Sequence, residues 1–243
     1  WARFEERVTH GDVTGALADA EHLEALHSGA RARHEACRRA ARSFLTQGYV
    51  TDAGRMFERA LRYAPDDASA TAGLARALLE AGKKERAAAL LERAIQLGER
   101  RGRPDADALL DLARLLAEEI GDLPQAIARV REVSADSERL VEARHLEGLW
   151  RSRLGDVAGA SLAYGRMREA VELGAVREAR TVEWLVEAAE FEREARLEPT
   201  SAERHLGVAL RLAPHDPMLA QRYREVAAEL AEKLRREREA RRS

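Results

Sequence analysis

The side chains able to do chemistry in this sequence are one cysteine, seven histidines and an arginine population far larger than its lysine population. Cys37 could be a nucleophile, but it falls on the apolar stripe Cys37, Ala40, Ala41 and Phe44, which predicts a core thiol. His22 and His27 are five residues apart, a spacing that splays two side chains on a helix instead of pairing them for a metal. The sequence has no HExxH, and Gly82-Lys83 lacks the upstream glycine of a phosphate-binding loop. No Ser, Asp and His trio carries a recognisable local signature of nucleophilic catalysis. The expectation is therefore no catalytic residue, no metal and no cofactor. What remains is arginine, whose planar fork holds carboxylates by two parallel hydrogen bonds. The mixed tail from Lys233 to Arg242 has glutamates between its arginines and reads as a solvated helix end, so nucleic acid is not expected as a partner.

These side chains sit in a repeating frame. Gly48, Ala53, Phe57 and Ala60 are followed by Gly82, Ala87, Leu91 and Ala94 in the same places. Gly121, Ala126, Val130 and Val133 come next, then Gly155, Ala160, Tyr164 and Met167. Gly11, Ala16 and Ala20 form a partial copy upstream; Ala202, Leu206, Ala209 and Pro214 form one without the glycine downstream. The alanines at 16, 53, 87, 126, 160 and 202 are separated by 37, 34, 39, 34 and 42 residues. A period near 34 with a glycine between two helical patterns predicts stacked helical hairpins. The glycine ends the first helix where a left-handed backbone costs it nothing. The alanine five residues later lets the two helices approach, and a proline such as Pro65 stops the second helix.

This pattern resembles the tetratricopeptide repeat family over nearly the whole chain, most strongly in its middle. Cys37 and Ala40 depart from the Trp, Leu, Gly and Tyr that the family favours on its first helix. The resemblance implies an all-α, right-handed solenoid of stacked antiparallel hairpins with a C-terminal capping helix. It would be a single domain over 1–243: a partial hairpin at 1–29, repeats at 30–66, 67–101, 105–136, 138–174 and 175–214, and a last helix at 215–243. Helices are expected at 106–120, from 175 to about 197, and from 217 onward, the last with Leu219, Tyr223, Val226, Leu230 and Leu234 buried and its end projecting or frayed.

In this family the first helix of each hairpin lines a concave face on which partners dock. Matching positions from the glycines puts Arg42, Arg76, Leu115 and Leu149 in one row of that face, with Phe191 added across an eight-residue insertion. Neighbouring rows offer Arg38, Asp111 and His145, and Trp184 near the end. The row reads basic at its start and apolar at its end, and a core position stands beside the groove position for Leu149 and Trp184. Family members that receive chaperone tails clamp a C-terminal carboxylate with lysine and asparagine. The matching residues here are Arg38, Arg42, Gly73 and Arg76, and the chain has no asparagine, so that clamp is not expected.

Composition agrees with a solvated helical surface. The chain has 243 residues, 45% hydrophobic and 35% charged, with a formal net charge of −2. That balance argues against a general nucleic-acid or membrane field, and no apolar run approaches the ~20 residues needed to cross a bilayer. The absence of asparagine and the wealth of alanine and arginine suggest a bacterial source, and Trp1 in place of a starting methionine suggests a piece of a longer protein, expected in the cytoplasm. The function expected is a non-catalytic protein-interaction scaffold or adaptor, binding a protein or peptide with an acidic and an apolar patch. The alternative is a regulatory sensor that takes a peptide or small ligand and controls an attached output domain. Oligomeric state stays open, because the last helix could pair with another copy.

Overall fold

The computed structural model describes residues 1–174 and 180–241. Among them are thirteen α-helices, one π-helical segment and no strand. The helices are α1 (Ala2–His10), α2 (Val13–Leu26), α3 (Ala30–Thr46), α4 (Val50–Tyr63), α5 (Ala68–Glu80) and α6 (Lys84–Glu99), followed by α7 (Ala106–Arg114) with its π-helical extension Leu115–Ile120. Then come α8 (Leu123–Arg131), α9 (Leu140–Arg153), α10 (Val157–Glu172), α11 (Thr181–Glu194), α12 (Pro199–Leu212) and α13 (Pro217–Ala240). They group into two compact units, Trp1–Ile120 and Gly121–Ser243. Within the units α1–α2, α3–α4, α5–α6, α9–α10 and α11–α12 pair as hairpins.

Each hairpin turns on the same local device. Gly11, Gly48, Gly82, Gly121 and Gly155 all have φ between 73° and 82°, the left-handed region that suits glycine. At Gly48 the flanking amides return to the helix: Gly48 N–H donates to Leu45 O (3.0 Å) and Tyr49 N–H to Phe44 O (2.9 Å). Where aspartate follows the glycine, it caps the second helix. Asp12, Asp122 and Asp156 accept from the backbone N–H of Gly15, Gln125 and Gly159. The Gly159 amide, with Arg151 beside it, holds the Asp156 carboxyl below its ordinary range. The hairpin without glycine keeps the backbone all the same: Leu197, five residues before Ala202 as in every other copy, has φ 56° and is largely exposed.

Small residues set how closely the helices pack. Ala16, Ala53, Ala87, Ala126, Ala160 and Ala202 are all completely buried. Two glycines carry the same logic further. A Cβ on Gly73 of α5 would stand 2.3 Å from the Phe57 ring of α4, and one on Gly148 of α9 would stand 2.5 Å from Tyr164 of α10. Phe4, Phe44, Met56 and Phe57 fill the core of the first unit; Tyr164, Met167, Leu185 and Leu206 fill that of the second.

Three expectations change. The helix expected at 106–120 is α only to Arg114; its last six residues widen into the π-helical turn. The helix expected from 175 starts at Thr181 in the structure, and 175–179 lie outside the described residues. In α13 only Leu219 and Val226 are buried, while Leu234 is 44% exposed. The tail after Leu234, expected to project or fray, projects as helix to Ala240, with Glu232 paired to Arg235 and Arg236.

Three substitutions check this packing. Gly148→Ala forces a methyl into the Tyr164 ring and should cost about 1–3 kcal/mol in a urea titration, whereas Gly165→Ala, inside α10 with nothing within 4 Å, should gain about 0.5–1 kcal/mol from helix propensity. Leu197→Gly relieves a left-handed leucine worth ~1–2 kcal/mol against an entropic cost of ~0.5–1 kcal/mol, so a small net stabilisation is expected. A loss comparable to that of Gly155→Leu would contradict it.

Candidate interaction surface

The first helices of the hairpins carry the side chains singled out in the sequence, and most of them turn out to be engaged within the chain. Arg38 is half-buried and forks onto Glu35, one turn earlier on α3, with contacts of 2.8–3.1 Å. Arg42 is exposed, and its Nη2 donates to Ser69 Oγ of α5 at 3.1 Å. Arg76 does not stand free beside Arg42. Its Nε and Nη2 both donate to Asp111 Oδ2 of α7, at 2.9 and 2.7 Å. Leu115 is buried where the π-helical turn begins, and it lines a cleft with Leu79 of α5.

In the second unit, His145 and Trp184 meet in one aromatic contact, and Phe191 joins the same cluster through Tyr164. The His145 and Trp184 rings stack at 5.0 Å with 16° between their planes. His145 Nε2–H donates to Glu187 Oε2 at 2.7 Å, since a carboxylate can only accept. Both His145 and Trp184 are buried; Leu149 and Phe191 are half-buried, and Phe191 rests on Tyr164 at 5.3 Å. Burial lowers the His145 imidazole below its ordinary value, against the upward pull of Glu187. Trp184 and His145 are thus wall-forming core, and Leu149 and Phe191 are the residues of this group that keep access to solvent.

The charges follow a rule that single-position matching does not show. Arginine and lysine side chains clip successive hairpins together over about one repeat: Arg39 to Glu5, Arg76 to Asp111, Lys84 to Glu119 in the first unit, and Arg193 to Glu229, Arg222 to Glu190, Lys233 to Glu198 in the second. Against this background Arg31 is notable. It makes no ion pair and lies on the same face of α3 as Arg38 and Arg42, at i, i+7 and i+11. Arg31 and Arg38 line an open groove of about 830 Å³ that runs past His34, Asp66, Asp67 and Arg101. His34 is itself tied to Asp67 at 2.7 Å, and Arg101 to the Asp66 carbonyl at 2.9 Å. Arg31 was not singled out in the sequence, because it lies two turns before Arg38, where the glycine register begins to align α3.

No group of three or more His, Cys, Asp or Glu side chains able to hold a metal occurs among the described residues. Cys37 is fully buried, and burial together with the neighbouring Glu24 pushes its thiol up to about 12. Among the described residues no helix is long and apolar enough to cross a membrane.

A family model described as tetratricopeptide repeat matches residues 38–104. No curated protein matches the chain. Among solved structures, Pseudomonas aeruginosa pilF is similar over 84% of this chain and 90% of its own, with a TM-score of 0.60 and 18% identity. MamA from Desulfovibrio magneticus RS-1 is similar over 75% of this chain and 97% of its own, with a TM-score of 0.56 and 16% identity. YrrB, a TPR protein with an unusual peptide-binding site, is similar over 78% of this chain and 91% of its own, with a TM-score of 0.52 and 17% identity. At these identities the likeness is one of fold.

The second unit also holds a buried histidine that should be visible in stability. His205 is 2% exposed, its Nδ1 has no partner, and burial, then Arg168, push its pKa down to about 4. The unfolded chain takes up this proton near 6.5 and the folded one near 4. Stability linked to His205 is therefore complete above pH 6.5 and lost as pH falls towards 4, by roughly 3 kcal/mol. Denaturant titrations across that window should show His205→Gln losing less stability than the native chain; equal slopes would contradict the assignment.

Proposed function

On the premise that the chain is a tetratricopeptide-repeat protein by fold, we propose that it is a non-catalytic interaction scaffold whose α3 wall receives an acidic segment of a partner polypeptide. The fold is generally a protein–protein interaction module, and a peptide-binding site is named for YrrB, one of the structures it is similar to. The observation that carries the reading is the α3 face itself. Many basic side chains of this chain are neutralised by a carboxylate one repeat away, but Arg31 and Arg42 are not, and Arg31 borders the open groove. Arg38 borders the same groove with its fork taken by Glu35, so the charge left over rests with Arg31 and Arg42. An arginine surface of this kind attracts carboxylates at long range and fixes them by forked hydrogen bonds on contact. Arg76 is not part of it, because Asp111 already takes its fork.

Association of fluorescent acidic and neutral peptides, measured by stopped flow at two salt concentrations, tests this. The acidic peptides should associate faster, and low salt should accelerate them further. The Arg31→Glu/Arg42→Glu pair should remove most of that advantage while leaving helicity intact. Arg86→Glu, an exposed change on the second helix α6, should leave it in place. Acidic peptides that bind the double variant as fast as the native chain would refute the proposal.

A further inference from the structure

Within the second unit, α13 lies against α11 without closing on it. Two ion pairs hold it there, Arg193 to Glu229 at 2.7 Å and Arg222 to Glu190. Beside these clips lies a cleft of about 220 Å³ whose apolar walls come from Val186 and Ala189 of α11, Leu206 of α12 and Val226 of α13. That volume is below the ~300 Å³ at which small-molecule pockets begin and is suited to one long side chain. The rim has its own charge. The two clips cancel internally, but Glu194 and Glu225 also line the cleft. Glu225 meets the neutral amide of Gln221 at 3.0 Å, and Glu194 makes no ion pair or hydrogen bond. Two uncompensated carboxylates therefore stand over an apolar floor.

From this we infer that the α11–α13 cleft is a socket for an arginine side chain presented by a partner polypeptide. An arginine has the complementary parts: a three-methylene stem to cover Val186 and Val226, and a planar guanidinium to lie between two carboxylates. Asparagine, glutamine or an acidic side chain would leave the rim carboxylates unanswered or repelled. The inference rests on reading the chain as polypeptide-binding, and it adds a second partner chemistry, opposite in charge to that of the α3 wall.

The probe is the peptide Ac-Ala-Leu-Arg-Leu-Ala-NH2, compared with the same peptide carrying citrulline, which keeps the shape and loses the charge. Methyl NMR of the intact chain reads Val186, Leu206 and Val226. The arginine peptide should shift these methyls, and citrulline should weaken binding roughly tenfold, the scale of one charge-assisted hydrogen bond. Glu194→Gln/Glu225→Gln should bring the two peptides to the same affinity. These are rim residues, so the chain stays folded, and its response to acidic peptides at α3 should be unchanged. Equal affinity of the two peptides for the native chain overturns the socket while leaving the α3 reading intact. Methyls that shift with protein concentration in the absence of peptide would show a second copy in the cleft and overturn it as well.

Discussion

Everything in this structure depends on how closely two helices of a hairpin can approach. Six fully buried alanines recur at the same place in the repeat, and within each unit they fix that distance. Leucine in their place would push the axes apart, because protein interiors have no spare volume to absorb the extra atoms. Gly73 and Gly148 show the constraint at its tightest, each giving up its Cβ so that an aromatic ring can lie on the backbone. Close approach is also what brings the first helices of successive hairpins within side-chain reach of one another, and so what makes the charged surface possible.

That surface is organised by position in the repeat. A basic residue on one hairpin meets an acid about one repeat away, before or after it in the chain, as Arg76 meets Asp111 and Arg39 meets Glu5. Exposed pairs of this kind contribute little individually, about 0–1 kcal/mol, so their role lies in register and specificity. They discourage a hairpin from sliding against its neighbour, since a slip would set like charges together. A side chain spent in this way is no longer offered to a partner. The chemistry available for binding is what the ladder leaves over: arginine on α3, carboxylates over the α11–α13 cleft.

The fold was legible because its determinants are local. Glycine five residues before a buried alanine recurs in the sequence and means the same thing each time, and even the copy without glycine could be aligned by Ala202. The site was less legible because its determinants are not local. Position-matching put Arg76 and Asp111 on neighbouring rows, but the bond between them depends on the twist between α5 and α7, which no single-repeat pattern encodes. Gly73, which position alone places in the arginine wall, is the buried seat of the Phe57 ring. The stacking of His145 on Trp184 joins residues 39 apart through two hairpins, and the π-helical turn after Arg114 has no residue signature at all.

Leu197 shows where these two kinds of information meet. At every other hairpin turn the residue in the left-handed conformation is glycine, the residue the backbone prefers there. At 197 the surrounding contacts impose the same φ on leucine: α11 and α12 are tied by packing around Ala202, and Arg196 beside the turn bonds to Ser161 of α10 at 2.6 Å. The repeat geometry therefore outranks the local preference of a residue, at a cost of roughly 1–2 kcal/mol. It follows that the hairpin closes because its helices fit, with the turn glycine lowering the cost of closure and not dictating it. The same order of causes explains why the period survives intervals from 34 to 42 residues. Loops lengthen and turn residues change, but the buried alanine and the helix it admits stay in register.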